Sequence, residues 1–269
     1  MQGETHKLND LTDKVAVVTG GGSGLGREFC DVLAEYGADV ACPDIYKDRA
    51  DETCGIIEKY GHKTLAIESD VSKYDHVQAM FQQVMKHFGK VDILVNNAGV
   101  SALSAPIAQV DLQDWHKVID TDLHGVFYCM RECLRIMEKQ KSGTIINIAS
   151  VLGIMVTPPV VLSVPPYVAA KFAVVGLTRE AAGEYGHYGI RVNCIAPGFH
   201  HGTRLGERGG VPKEQARPAE TRPEVIERTP LRRTAGPEEL KGLLLYLASD
   251  SSSFMTGQVI AHDGGLSVW

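Results

Sequence analysis

The 269-residue chain has no Cys-x-x-Cys pair, no Gly-x-Ser-x-Gly elbow, no basic excess and no long apolar run. Each absence removes a class. Cysteines 30, 42, 54, 129, 133 and 194 lack metal-ligand spacing. They read as reduced structural thiols of a cytoplasmic protein, and no metal site is expected. A formal net charge of −6 argues against a nucleic-acid partner, which would need a basic face. No stretch approaches the ~18 consecutive apolar residues of a membrane span, and the polar, mixed-charge run Met1 to Lys14 does not read as a signal peptide. Without the elbow, a serine-hydrolase triad is not expected. No repeat at a period of about 20–50 residues appears, and no break in composition marks a linker. One domain over 1–269 is therefore expected.

What is present is a regular alternation. Short runs at Lys14–Thr19, Ala38–Cys42, Thr64–Glu68, Val91–Val95, Gly143–Ala149, Ile190–Ile195 and Gln258–His262 read as strands, the first continuously apolar and fit to be buried on both faces. Helical periodicity lies between them: Arg27–Tyr36, Lys47–Tyr60, Ser72–Phe88 with Ser72 as N-cap, Asp111–Lys139 in one or two pieces, Tyr167–Tyr185 and Pro237–Ser249. Such alternation predicts an α/β fold, a doubly wound parallel sheet of about seven strands with helices on both faces. Only residues 199–235, polar and rich in Arg, Glu, Gly and Pro, break the rhythm.

Ligands of such sheets bind beyond the carboxyl ends of the strands, where the notable residues collect. Gly20-Gly21-Gly22-Ser23-Gly24-Leu25-Gly26 turns from strand 1 into a helix. Its glycines leave room for a pyrophosphate to meet the free N–H groups of the helix start. Asp44 ends strand 2 about twenty residues on and suits the hydroxyls of an adenosine ribose. It would repel a 2′-phosphate, and no Arg or Lys stands in the glycine loop or directly after Asp44; NAD is favoured over NADP. Asp70, Asn97, Ser150 and Pro197-Gly198 close strands 3 to 6. Tyr167 and Lys171 share one face of a helix, a phenol and a cation that can tune its ionisation. Taken alone, that pair is an ordinary half-buried ring and a surface charge.

Together these motifs resemble the short-chain dehydrogenase/reductase family, of the kind with a single Rossmann-type domain, from about Leu11 to Gly265. The matches are Thr19-Gly20-x-x-x-Gly24-x-Gly26, Asp70-Val71, Asn96-Asn97-Ala98-Gly99, Ser150, Tyr167-x-x-x-Lys171 and Pro197-Gly198. To these are added Ala248-Ser249-Asp250, Thr256-Gly257-Gln258 and Asp263-Gly264-Gly265. The resemblance implies hydride transfer between NAD(H) and a secondary alcohol or ketone. Tyr167 would be general acid/base, Ser150 would polarise the substrate oxygen, and Lys171 would hold the nicotinamide ribose and lower the phenol's pKa. It implies cofactor contacts from Gly20, Ser23, Gly24, Leu25, Gly26, Asp44, Asp70, Val71, Asn97, Gly99, Tyr167, Lys171, Pro197, Gly198 and Thr203. It also implies a homo-oligomer, a tetramer, packed through the Asp111–Lys139 and Tyr167–Tyr185 helices and the C-terminal segment.

Three departures stand out. Asp122, in Asp122-Leu123-His124-Gly125-Val126-Phe127, occupies the place of an asparagine that in the family completes a proton relay with the lysine. Asp122 therefore joins the catalytic set as a residue of altered charge. Ser150 and Tyr167 are seventeen apart, a longer separation than usual. The added loop, Met155 to Pro166, carries Val156, Val160, Val161, Leu162 and Val164 and prolines 158, 159, 165 and 166. It reads as an apolar wall of the substrate pocket or as a surface packed on a neighbouring subunit. Thr203 lies five residues beyond Gly198 rather than four. Segment 199–235 is expected to be a substrate lid. Its Arg204, Arg208, Lys213, Arg217, Arg222, Arg228, Arg232 and Arg233 would meet an anionic group or simply face water. His200 and His201 are candidates to line the site. Two rival readings remain: a non-catalytic NAD(H) sensor or scaffold, and an NADPH-dependent carbonyl reductase.

Overall fold

A computed structural model describes residues 8–156, 162–203, 205 and 223–269. Seven strands form one sheet: β1 (Val15–Val18), β2 (Asp39–Asp44), β3 (Thr64–Glu68), β4 (Ile93–Asn96), β5 (Gly143–Ile148), β6 (Ile190–Pro197) and β7 (Val259–His262). Their order is β3-β2-β1-β4-β5-β6-β7, and every pairing is parallel. The order reverses between β1 and β4, which places a crevice at the carboxyl ends of those two strands. All four residues of β1 are buried. A parallel strand covered by helices on both faces needs such a continuous apolar run.

The helices are α1 (Gly24–Glu35), α2 (Lys47–Ile57), α3 (Tyr74–Phe88), α4 (Leu112–Ile119), α5 (Gly125–Gln140), α6 (Pro165–Tyr185), α7 (Pro223–Arg228) and α8 (Lys241–Ala248). Sheet side chains alternate between two cores. Val17, Leu94, Ile145 and Val192 pack with Met80 and Phe81 of α3, Met130 and Met137 of α5, and Val174 of α6. Ala16, Val18, Val95 and Ile146 pack on the other face with Phe29 and Leu33 of α1, Ile57 of α2, and Leu244 and Leu247 of α8. The sheet is thus doubly wound, as the alternation predicts.

The boundaries differ in instructive ways. Helix α3 starts at Tyr74, and Ser72 is not its cap. The Ser72 hydroxyl donates instead to Asp70 Oδ1 at 2.7 Å, closing the turn after β3. The long region after Asp111 comes in two pieces, α4 and α5, joined by a π-helical turn over Asp120–His124. Prolines 165 and 166 start α6, where missing N–H groups cost nothing. Prolines 158 and 159, Val160, Val161 and the basic residues from Arg204 to Arg222 lie outside the described residues. All six cysteines are buried and unpaired. No helix among the described residues is long and apolar enough to cross a membrane.

Candidate active site

The glycine loop is held by its neighbours. Gly24 takes φ +54°, a left-handed conformation suited to glycine. A Cβ at Gly26 would stand 2.2 Å from the Gly20 carbonyl oxygen and 2.6 Å from Asn97 Nδ2. The third glycine therefore allows helix α1 to press against the loop and the end of β4. Ser23 stands at the N-cap of α1 with no side-chain hydrogen bond to the helix, which leaves the first-turn N–H groups beside Leu25 to an anion.

Asp44 is buried at the end of β2. Its Oδ2 accepts the Gly22 N–H and its Oδ1 the Tyr46 N–H, each at 3.0 Å. Two arginines that sequence spacing did not associate with this edge come close. Arg27 donates to the Gly22 carbonyl at 2.9 Å and pairs with Glu52. The Arg49 guanidinium lies 4.3 Å from the centre of the Tyr46 ring, and Arg49 Cβ would be 2.7 Å from a Cβ at Gly22. Both reach the loop through helix packing, so a search of the residues next to Asp44 does not find them.

Asn97 is spent on the main chain. Its Nδ2 donates to the Thr19 and Gly20 carbonyls at 2.9 and 3.2 Å, and its N–H donates to Thr19 Oγ1 at 3.0 Å. Asp70 likewise closes its own turn, accepting the Ser72 N–H at 3.0 Å. Val71 is buried against Gly125. Gly198 donates its N–H to the His262 carbonyl at 3.0 Å, tying the end of β6 to β7 beside Pro197. Thr203 is exposed. His200 is buried and contacts the Gly198 carbonyl, while His201 contacts Thr234.

The chemistry collects around α6. Tyr167, Lys171 and Ser150 are all buried. The Ser150 hydroxyl stands close enough to the Tyr167 phenol to lower its pKa and accepts the Leu152 N–H at 3.1 Å. Lys171 Nζ lies 5.3 Å from the centre of the Tyr167 ring. It donates to the Ile148 carbonyl at 3.1 Å and stands 3.1 Å from Asp122 Oδ2. Asp122 Oδ1 accepts the Val100 N–H at 2.7 Å. A Cβ at Gly99 would be 2.9 Å from Asp122 Oδ2, so glycine there lets the carboxylate abut the chain after β4.

Burial pushes the Tyr167 phenol above the ordinary tyrosine value. Lys171 pulls it down, Asp122 pushes it up and the Ser150 hydroxyl pulls it down; the net direction is up. Lys171 therefore acts with the expected sign, against the larger effect of desolvating a buried phenol. Burial also works against the Lys171 ammonium, yet Asp122 and Tyr167 outweigh it and raise its pKa. Burial raises the Asp122 carboxyl, with Lys171 and the Val100 N–H opposing.

A polar thread behind the site was missed in the sequence. Asn96 Nδ2 donates to Asn147 Oδ1 at 2.8 Å, and Asn147 Nδ2 donates to Thr178 Oγ1 at 2.9 Å. It ties β4 and β5 to α6 below Lys171. Its signal was two asparagines inside apolar strands, since buried amides require partners. Around Tyr167 the remaining wall is aliphatic: Val100, Val151, Leu152, Val164 and Leu266 are buried, with Met155, Leu162 and Phe199 packed on them. Val164 is thus buried within the chain's own cluster around Tyr167, while Val156 is exposed.

The chain matches a family model described as Enoyl-(Acyl carrier protein) reductase over residues 20–267. It is 38% identical over 255 residues to a cis-4-hydroxycyclohexanecarboxylate dehydrogenase of Sinomonas cyclohexanicum, covering 95% of this chain and 97% of that protein. It is 36% identical over 256 residues to a 3-oxoacyl-(acyl-carrier-protein) reductase of Thermotoga maritima, covering 95% and 98%. The crystal structure of levodione reductase superposes with a TM-score of 0.88 at 35% identity, covering 96% of this chain and 99% of the other. Sequence, fold and the clustered tyrosine, lysine and serine thus agree: the chain belongs to the short-chain dehydrogenase/reductase family of nicotinamide-dependent oxidoreductases.

Proposed function

We propose that this protein is an NAD-dependent oxidoreductase that interconverts a secondary alcohol and a ketone. The observation that carries the reading is the burial of the Tyr167 phenol together with Ser150 and beside Lys171, whose Nζ lies 5.3 Å from the ring centre. Bound nicotinamide would supply the hydride acceptor for oxidation and the donor for reduction. Ser150 would donate a hydrogen bond to the substrate oxygen and fix it against Tyr167. The phenol would give that oxygen a proton in reduction and remove one in oxidation. Lys171, anchored by Ile148 and Asp122, would hold a positive charge under the phenol and meet the nicotinamide ribose.

The open first turn of α1 fits a pyrophosphate at Gly20, Ser23, Gly24, Leu25 and Gly26. Asp44 would take the adenosine ribose, which supports NAD. Asp70 and Val71 would border the adenine, Asn97 and Gly99 the middle of the cofactor, and Pro197, Gly198 and Thr203 the nicotinamide. The aliphatic side chains around Tyr167 suit an apolar alcohol better than a polyol. The 1–269 chain would act as one domain in the cytoplasm with 199–235 as substrate lid. A homotetramer would cover Phe127 of α5, Phe172 of α6 and the C-terminal Trp269, all exposed in the single chain. A panel of cyclic and acyclic secondary alcohols, sugars and hydroxy acids, offered with NAD+ and scored by the appearance of NADH, tests this reading. Turnover of apolar alcohols is expected; inertness across the panel would leave the sensor or scaffold role.

A further inference from the structure

A charge pair closed off from water underlies the candidate catalytic phenol. The side chains of Lys171 and Asp122 are 3% and 0% exposed, with Nζ and Oδ2 3.1 Å apart. The π-helical turn between α4 and α5 carries Asp122 inward, and the Val100 N–H fixes its other oxygen at 2.7 Å. The groups facing this pair are few. Helix α6 contributes Tyr167 and Lys171 itself, the end of β5 contributes the neutral Ser150 hydroxyl, and β6 contributes Cys194. Burial pushes the Cys194 thiol up to about 11, so it carries no charge near neutral pH. Asp122 is therefore the anion that Lys171 answers to.

Resting on the oxidoreductase reading above, we propose that Asp122 is a positioning residue that sets the ionisation of Tyr167 through Lys171. Its carboxylate pins the ammonium to the floor of the site and offsets the ammonium's field at the phenol. Tyr167 then keeps its proton to a higher pH than an unpaired Lys171 would allow. Across the neutral range the phenol is a proton donor, suited to ketone reduction; it becomes a base for alcohol oxidation as the pH is raised. The two directions described above agree: Asp122 lifts both Tyr167 and Lys171.

The test is Asp122→Asn, which removes the charge, keeps the size and retains an oxygen for the Val100 N–H. The readout is a pH titration of the ring carbons of carbon-13-labelled tyrosine in the ligand-free protein, with Tyr167→Phe assigning the resonance. The Tyr167 midpoint should fall by about one pH unit, the lower end of the effect of a nearby charge. In turnover, the acid limb of the oxidation profile should move down by the same amount, raising the rate at neutral pH about tenfold relative to the alkaline plateau. A midpoint that stays or rises overturns the proposal and leaves Asp122 a structural partner. Should no alcohol be turned over, the oxidoreductase reading fails while the titration still decides the pair. Should Asp122→Asn not fold, Asp122→Ser decides in the same titration: a Tyr167 midpoint no lower than that of the wild type contradicts an anion holding the proton on.

Discussion

Asn97 grips Thr19 at two points: the Asn97 N–H donates to Thr19 Oγ1 at 3.0 Å, and Asn97 Nδ2 donates to the Thr19 carbonyl at 2.9 Å. The Ala98 N–H joins them, donating to the same Thr19 Oγ1 at 3.1 Å. This clasp locks the start of the glycine loop to the end of β4, across the point where the strand order reverses.

Thr19→Val keeps the shape and β-branching but strands two N–H groups. It should destabilise the fold by about 2 kcal/mol, as loss of an acceptor for buried donors does. Dinucleotide affinity should fall with it. Thermal unfolding and a fluorescence titration with NADH would measure both; an unchanged melting temperature would count against the clasp.

Gly26→Ala places a methyl 2.2 Å from the Gly20 carbonyl oxygen and 2.6 Å from Asn97 Nδ2. Main chain cannot yield as a flexible side chain would, so overpacking of about 1–3 kcal/mol is expected. Gly176→Ala is the control, because a Cβ there meets nothing within 4 Å. Denaturant unfolding of the two variants should separate them clearly.

The sheet was legible in the sequence because parallel strands covered on both faces leave unbroken apolar runs; each of the seven lies within a residue or two of its expected place. Tyr167, Lys171 and Ser150 were legible because spacing on one helix and at one strand end brings them together. What was not legible depends on packing between distant segments. Neither the approach of Arg27 and Arg49 to Gly22 nor the Asn96–Asn147–Thr178 thread has a local pattern. The net ionisation of Tyr167 depends on packing in the same way. Helical spacing reveals the nearby ammonium but not how completely the phenol is desolvated.

Cofactor choice turns on Asp44. The wild-type protein should bind NAD+ more tightly than NADP+. Asp44→Asn should narrow that preference by about tenfold, because the negative charge that repels a 2′-phosphate is gone. Calorimetric titration with both cofactors checks this. Tighter binding of NADP+ by the wild type would point to Arg27 and Arg49 as a phosphate site instead.

Glu239 anchors the segment that leads into α8. It receives both Arg233 nitrogens at 2.7 Å and the Gly236 N–H at 2.9 Å. The Arg233 guanidinium, followed by the Gly236 N–H, pulls its carboxyl down to about 2. A carboxyl depressed on folding stabilises the native state above its unfolded pKa, and that contribution is lost as the pH falls through the folded value. Glu239→Gln should therefore melt below the wild type at neutral pH, with the gap narrowing as the pH falls toward about 2. A gap independent of pH would mean that packing, not charge, is what the substitution removes.

The most direct measurement of the central claim is turnover by Tyr167→Phe beside its affinity for NAD+. The substitution deletes one buried hydroxyl and leaves the glycine loop, Asp44 and Lys171 in place. Alcohol-dependent NADH formation should fall by at least about a thousandfold, at the level of losing an acid/base group, while NAD+ binding stays within a few-fold. Turnover undiminished in Tyr167→Phe would contradict the account.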